Sequence, residues 1–107
     1  MPSAEEAARV LAEIENSIAA RRCLEILYGP GWRLVEPHVL GRASNGDVIL
    51  RAFQVSGAST SGVPEGWKLL RVDRMRALRP GGQLFDGPRP DYNPLDPAMK
   101  DRVIARL

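Results

Sequence analysis

The sequence predicts a mainly β domain with flanking helices, and three observations carry that prediction. From Cys23 onward the chain breaks into short β-prone runs separated by turn residues. No link between those runs is long enough for a crossover helix, which disfavours a parallel sheet. One amphipathic segment stands in front of them. At 107 residues the chain fits a single domain, divided into an N-terminal helix over 1–22, a barrel over 23–80 and a C-terminal strap and helix over 81–107.

The first element is a helix. Ser3 followed three residues later by Glu6 is a capping-box pattern, and Ala7, Val10, Leu11, Ile14 and Ile18 then recur at helical spacing. Arg21 and Arg22 suit its C-terminal end. The apolar stripe must dock on a sheet of this chain or on a partner, and docking within the chain is the expectation.

The strands follow in order. CLEILY closes at Gly29-Pro30-Gly31, WRLVEPHVL runs to Ser44-Asn45-Gly46 with its hairpin cue, and DVILRAFQV leads into the loop SGASTSGVPEG. WKLLRV and MRALRP complete the set. Five short strands with tight turns predict a five-stranded SH3-like or Sm-like β-barrel. Pro37 inside the second run signals an edge or a bulge. Pro88, Pro90, Pro94 and Pro97 then force an extended strap, which Leu84, Phe85 and Tyr92 are expected to pin to the body. Asp96-Pro97 places an N-cap and a first-turn proline before AMKDRVIARL, predicting a short helix with Met99, Val103 and Leu107 along one side.

Composition narrows the function classes. Charged residues are 26% and hydrophobic types 44%, ordinary for a soluble domain. No apolar run approaches the roughly 20 residues of a membrane span. The acidic N-terminus lacks the pattern of a signal peptide, so a cytoplasmic protein is expected. Cys23 cannot form an internal disulfide, and one cysteine with one histidine, His38, cannot build a structural zinc site; neither metal nor cofactor is expected. Cys23 reads as a buried thiol among Leu24, Ile26 and Leu27.

Charge is uneven. The chain carries +2 overall, but residues 67–79 carry Lys68, Arg71, Arg74, Arg76 and Arg79 against Asp73 alone. Such a strip suits an anionic ligand or a nucleic-acid backbone, or else an edge strand whose arginines discourage aggregation. In WKLLRVDRM strict alternation would spoil both faces of a strand with charge; the strand is expected to end near Val72, with Asp73 and Arg74 in a tight turn.

Catalytic motifs are scarce. There is no nucleophile elbow, Walker loop or paired-histidine metal helix. The stretch Gly57 to Gly62 reads as a hairpin loop, since no Lys-Ser/Thr pair opens a helix after it. His38 has no nucleophile nearby in sequence and reads as a strand-end surface residue. An enzyme is not expected.

The succession ILY, VEP with Leu40, VILRA and LLRVDRM closely resembles the WYL domain family. Tyr28 matches its first tyrosine, Pro37 its proline, Leu50 the leucine of the name and Ala52 the residue two beyond. Arg71, Asp73 and Arg74 match the last and most specific motif, with Leu70 and Met75 in its phenylalanine and isoleucine places. The resemblance covers about residues 18–80. Val48 and Ile49 stand where the family has W and Y, and no helix-turn-helix accompanies the barrel.

The resemblance implies a Sm-like or SH3-like sensor module of bacterial transcription regulation, binding a nucleotide or single-stranded nucleic acid. Arg71 and Arg74 would be the first anion contacts, with Tyr28 nearby. Lys68 or Arg51 would extend the track, and Trp67 or Trp32 would stack on a base. The alternative is a structural or interaction module that assembles with a regulator or effector, as partner or homo-oligomer, its arginines bracing the barrel against Asp73 and Glu36.

Overall fold

The computed structural model describes residues 3–99 and 102–107. Helix α1, Ala4–Ala20, is capped as its sequence predicts: the Glu6 N–H donates to the Ser3 hydroxyl at 3.1 Å. Arg21 ends it in the left-handed region, its N–H donating to the Ile18 carbonyl.

Among the described residues six antiparallel strands form one sheet: β1 (Arg22–Tyr28), β2 (Gly31–Arg42), β3 (Val48–Gly57), β4 (Gly66–Arg71), β5 (Ala77–Leu84) and β6 (Val103–Arg106). A 3-10 turn, η1 (Val72–Arg74), joins β4 to β5. The strands lie in the order β4-β3-β2-β1-β5, with β6 alongside β2. The strand WKLLRV thus stops at Arg71; Asp73 and Arg74 belong to η1, while Lys68 and Arg71 stay on opposite faces of β4.

Strand β2 changes partner along one edge. Gly31–Val35 pair with β1, Val39–Gly41 pair with β6, and Pro37 falls between the two. Its missing N–H therefore costs no ladder bond on that edge. Across the other edge the register with β3 slips between Pro37 and Val39, a bulge with His38 as the extra residue.

The sheet buries both faces. On one, Leu24, Ile26, Val35, Leu50 and Leu70 pack against Ile14 and Ile18 of α1. Ile14 and Ile18 are wholly buried, which contributes about 1.5–3 kcal/mol each and settles the helix on its own chain. On the other, Val39, Ile49 and Met99 form a second cluster with Tyr92 and Val103. Gly57 closes the β2–β3 end at φ +107°, where a Cβ would stand 2.3 Å from the Trp32 carbonyl oxygen.

Four expectations are corrected. The C-terminal segment read as a helix contains strand β6 instead; Asp96 does cap a turn, accepting the Ala98 N–H at 3.0 Å, but Val103–Arg106 gain more from pairing with β2 than a short isolated helix would offer. Among the described residues the strand total is six rather than five, with β5 running to Leu84. Leu84 does not pin the strap, being 72% exposed, whereas Phe85 is buried. His38 is wholly buried rather than on the surface, because the bulge turns its ring into the second face.

Candidate anion-binding site

Arg71 ends β4, and its backbone N–H donates to the Tyr28 hydroxyl at 3.1 Å, so these two predicted residues do meet. Its guanidinium, however, grips both oxygens of Asp73, at 2.7 and 3.1 Å, with Asp47 at 3.6 Å. The hydrogen bonds to Asp73 raise its pKa above the ordinary arginine value, outweighing desolvation, and Asp47 adds to them. Arg74 is exposed on η1 and has no carboxylate partner among the described residues. The two arginines do not form a common fork; Arg71 is already occupied.

Arg51 and Trp67 lie on the strap side. Arg51 donates to Asp96 at 2.7 Å, and Asp96 is buried. Burial pushes the Asp96 carboxyl up, but the Arg51 guanidinium and the Ala98 N–H more than offset it and leave its pKa below the usual value. Trp67 sits edge-on to His38 and Phe53, at 4.7 and 5.6 Å between ring centroids, and its indole N–H donates to the Pro90 carbonyl. The strap thus engages both residues. Trp32 is 37% exposed but already carries the Arg79 guanidinium 4.1 Å over its ring, and Arg79 is paired with Glu25 at 2.7 Å.

His38 is the centre of the strap contacts. Its ring stacks on Phe85 and lies beside Tyr92, and next to it Glu36 holds Arg89 in a two-point ion pair, 2.7 and 3.0 Å. Cys23 is buried as its neighbours predict; burial, and then Glu36, push its thiol pKa up, so it is no reactive thiolate. Among the described residues no group of three His, Cys, Asp or Glu side chains is placed to hold a metal ion.

Lys68 points elsewhere. Its ammonium donates to the Val63 carbonyl at 2.6 Å and to the Ser59 and Ser61 hydroxyls at 3.4 Å, all in the loop 58–65 between β3 and β4. Beside that loop stands Arg33, only 3% exposed. It donates to the Tyr28 carbonyl, the Gln54 side-chain oxygen and the Thr60 hydroxyl, each at 3.4 Å, and its guanidinium lies 5.0 Å from the Tyr28 ring centroid. No described carboxylate pairs with it. Asp101 lies outside the described residues.

Arg33 is the residue that the strip of charge in 67–79 conceals. A signal for it was present: in WRLV it alternates with Trp32 and Leu34 and shares the side of Val35, so a guanidinium stands at a core-facing strand position. The sheet thereby brings together Tyr28, Arg33 and Lys68 at the loop 58–65, and leaves Arg51 and Trp67 on the opposite side.

No family model, curated protein or solved structure matches the chain. The likeness to WYL domains therefore rests on the residues that carry it.

Proposed function

We propose that the chain is a non-catalytic, cytoplasmic, WYL-like regulatory module that binds an anionic ligand, a nucleotide or a single-stranded nucleic acid, at the end of an SH3-like barrel. The observation that carries this reading is Arg33: a buried guanidinium surrounded by neutral oxygens at 3.4 Å. Buried charges are normally paired, because an uncompensated one costs several kcal/mol. Four other arginines of the same chain each hold a carboxylate at 2.7 Å. An anion at Arg33 would supply the missing partner.

The barrel architecture is supported by the connection between the outer strands. Five flat strands would set β4 and β5 roughly 19 Å apart, at about 4.8 Å per step. Only five residues, 72–76, join them, and three of these are wound into η1, which rises only about 2 Å per residue. A sheet curled toward closure would bring these edges within that reach, which supports the barrel reading.

Fluorescence anisotropy with labelled single-stranded DNA at low salt tests the reading. Binding should weaken steeply as salt rises and weaken again in Arg33→Gln, while Arg71→Ala, whose guanidinium is neutralised by Asp73, changes it little. Absence of binding to both the oligonucleotide and a mononucleotide at low salt sinks the reading.

A second reading, a protein-interaction module, is favoured by a groove of about 690 Å³ between α1 and the η1–β5 segment, lined by Val10, Leu11, Val48, Met75 and Leu78. On that reading the chain forms a stable complex in solution and Leu11→Asp dissolves it. A strict monomer that retains no partner counts against it.

A further inference from the structure

We infer that the site at Arg33 takes a terminal phosphate, a phosphomonoester dianion, and that the loop 58–65 is the element that closes over it. This rests on the anion-binding reading above and names the ligand group and its gate.

The first argument is occupancy. Charge-assisted hydrogen bonds of a guanidinium ordinarily fall near 2.7–2.9 Å, and each of the four paired arginines has its shortest contact at 2.7 Å. All three bonds of Arg33 are at 3.4 Å, the outer limit for such a contact. A fork held that loosely, on a residue only 3% exposed, has the geometry of a donor set whose acceptor is not the oxygens now facing it. The hydroxyls of Thr60, Ser59 and Ser61 stand in for an anion's oxygens: Thr60 faces Arg33, while Ser59 and Ser61 face Lys68.

The second argument is charge and shape. Arg33 and Lys68 bring two cations to one short loop, with no described carboxylate paired to either. A phosphomonoester carries about −1.5 to −2 at neutral pH and matches both, whereas an internal phosphodiester carries a single charge and neutralises only one. Enclosure points the same way. A chain of nucleotides running past would have to expose Arg33, but a terminal group can enter end-on.

The third argument is how the loop is held. Its base is fixed, since the Ala58 N–H donates to the Trp32 carbonyl and the Gln54 amide donates to the Ala58 carbonyl. Beyond that, residues 60–65 are exposed, and the bonds that hold them run from Arg33 and Lys68 or within the loop itself. The loop ends at Gly66, the first residue of β4, at φ +127°, a backbone conformation that favours glycine. The cations that would bind the phosphate are thus the ones that now hold the loop shut, and ligand oxygens would take the places of the hydroxyls.

The test compares 5′-phosphorylated oligothymidine, the same strand with a 5′-hydroxyl, and thymidine 5′-monophosphate by anisotropy and competition. The phosphorylated strand should bind at least roughly tenfold tighter, the loss expected for one charge-assisted contact. The mononucleotide should compete with it. Lys68→Gln, outside the core, should remove the preference; Arg33→Gln should also remove it if the variant folds. Equal affinity for the two strands overturns the terminal-phosphate site while the anion-binding reading stands. Loss of all binding in the wild-type chain removes that reading and this inference with it. A preference that survives Lys68→Gln also overturns the site.

Discussion

The backbone N–H of Arg89 donates to Nε2 of His38 at 3.1 Å. The opposite nitrogen, Nδ1, lies 2.8 Å from the Glu36 carbonyl oxygen and must donate to it, so the ring is neutral and of one tautomer. A proton on Nε2 would set two donors face to face and detach the strap.

Burial lowers the His38 pKa, and Arg89 lowers it further, against the opposing pull of the Glu36 carbonyl and carboxylate. The contribution of His38 to stability is therefore complete above about pH 6.5, the unfolded value, and is lost as pH falls toward the lower folded value. Urea midpoints measured at about pH 8 and about pH 5.5 should show this decline in the wild type and a smaller one in His38→Gln. Equal declines in both would remove His38 as the cause.

Tyr28→Phe deletes the acceptor of the Arg71 N–H while keeping the ring beneath Arg33. A loss of about 1 kcal/mol in denaturant unfolding is expected, typical of one hydrogen bond whose donor is left partly buried. Arg71→Ala keeps that backbone bond and should cost less than Tyr28→Phe.

Asp96→Asn separates the strap from the sheet. The carboxylate is buried against Arg51 and the Ala98 N–H, and an amide returns only part of those bonds, so a loss of about 2 kcal/mol is expected. Because the folded pKa lies below the unfolded one, this stabilisation is present above about pH 3.9 and is lost as pH falls through the folded value. Urea midpoints of the wild type and the Asn variant should differ most above about pH 4, and the gap should close as pH falls through the folded value.

Gly57→Ala should be the most damaging single-methyl change. The position needs a positive φ, and the new methyl would meet the Trp32 carbonyl oxygen at 2.3 Å. Roughly 2 kcal/mol or more is expected from backbone strain alone, read as a lower urea midpoint. Retention of wild-type stability would mean that the β2–β3 end relaxes more freely than its close approach suggests.

Most of the fold was legible because local chemistry and tertiary packing agree there. Ser3 caps α1, Ile14 and Ile18 reach the core, and the β2–β3 hairpin turns near Asn45-Gly46 as its residues dictate. The C-terminal segment misled because VIAR is too short for its period to declare itself: Val103 and Ala105 face inward and Ile104 and Arg106 outward, which the partner strand decides. The candidate site was less legible for a related reason. The arginines were conspicuous in 67–79, but carboxylates take up their charge: Asp73 within the strip holds Arg71, and Glu25, distant in sequence, holds Arg79. Arg33 draws no attention in a net-charge profile, and only its place on a core-facing strand position sets it apart.

The change of partner along β2 has a consequence for solubility. Residues 39–41, Val-Leu-Gly, offer backbone groups on an edge that β1 does not reach, and β6 occupies them. A chain with β6 displaced would present an unprotected apolar strand edge near the C-terminal end of its longest strand, a template for another molecule's backbone. Four residues of modest hydrophobicity thus act as a guard against intermolecular sheet growth.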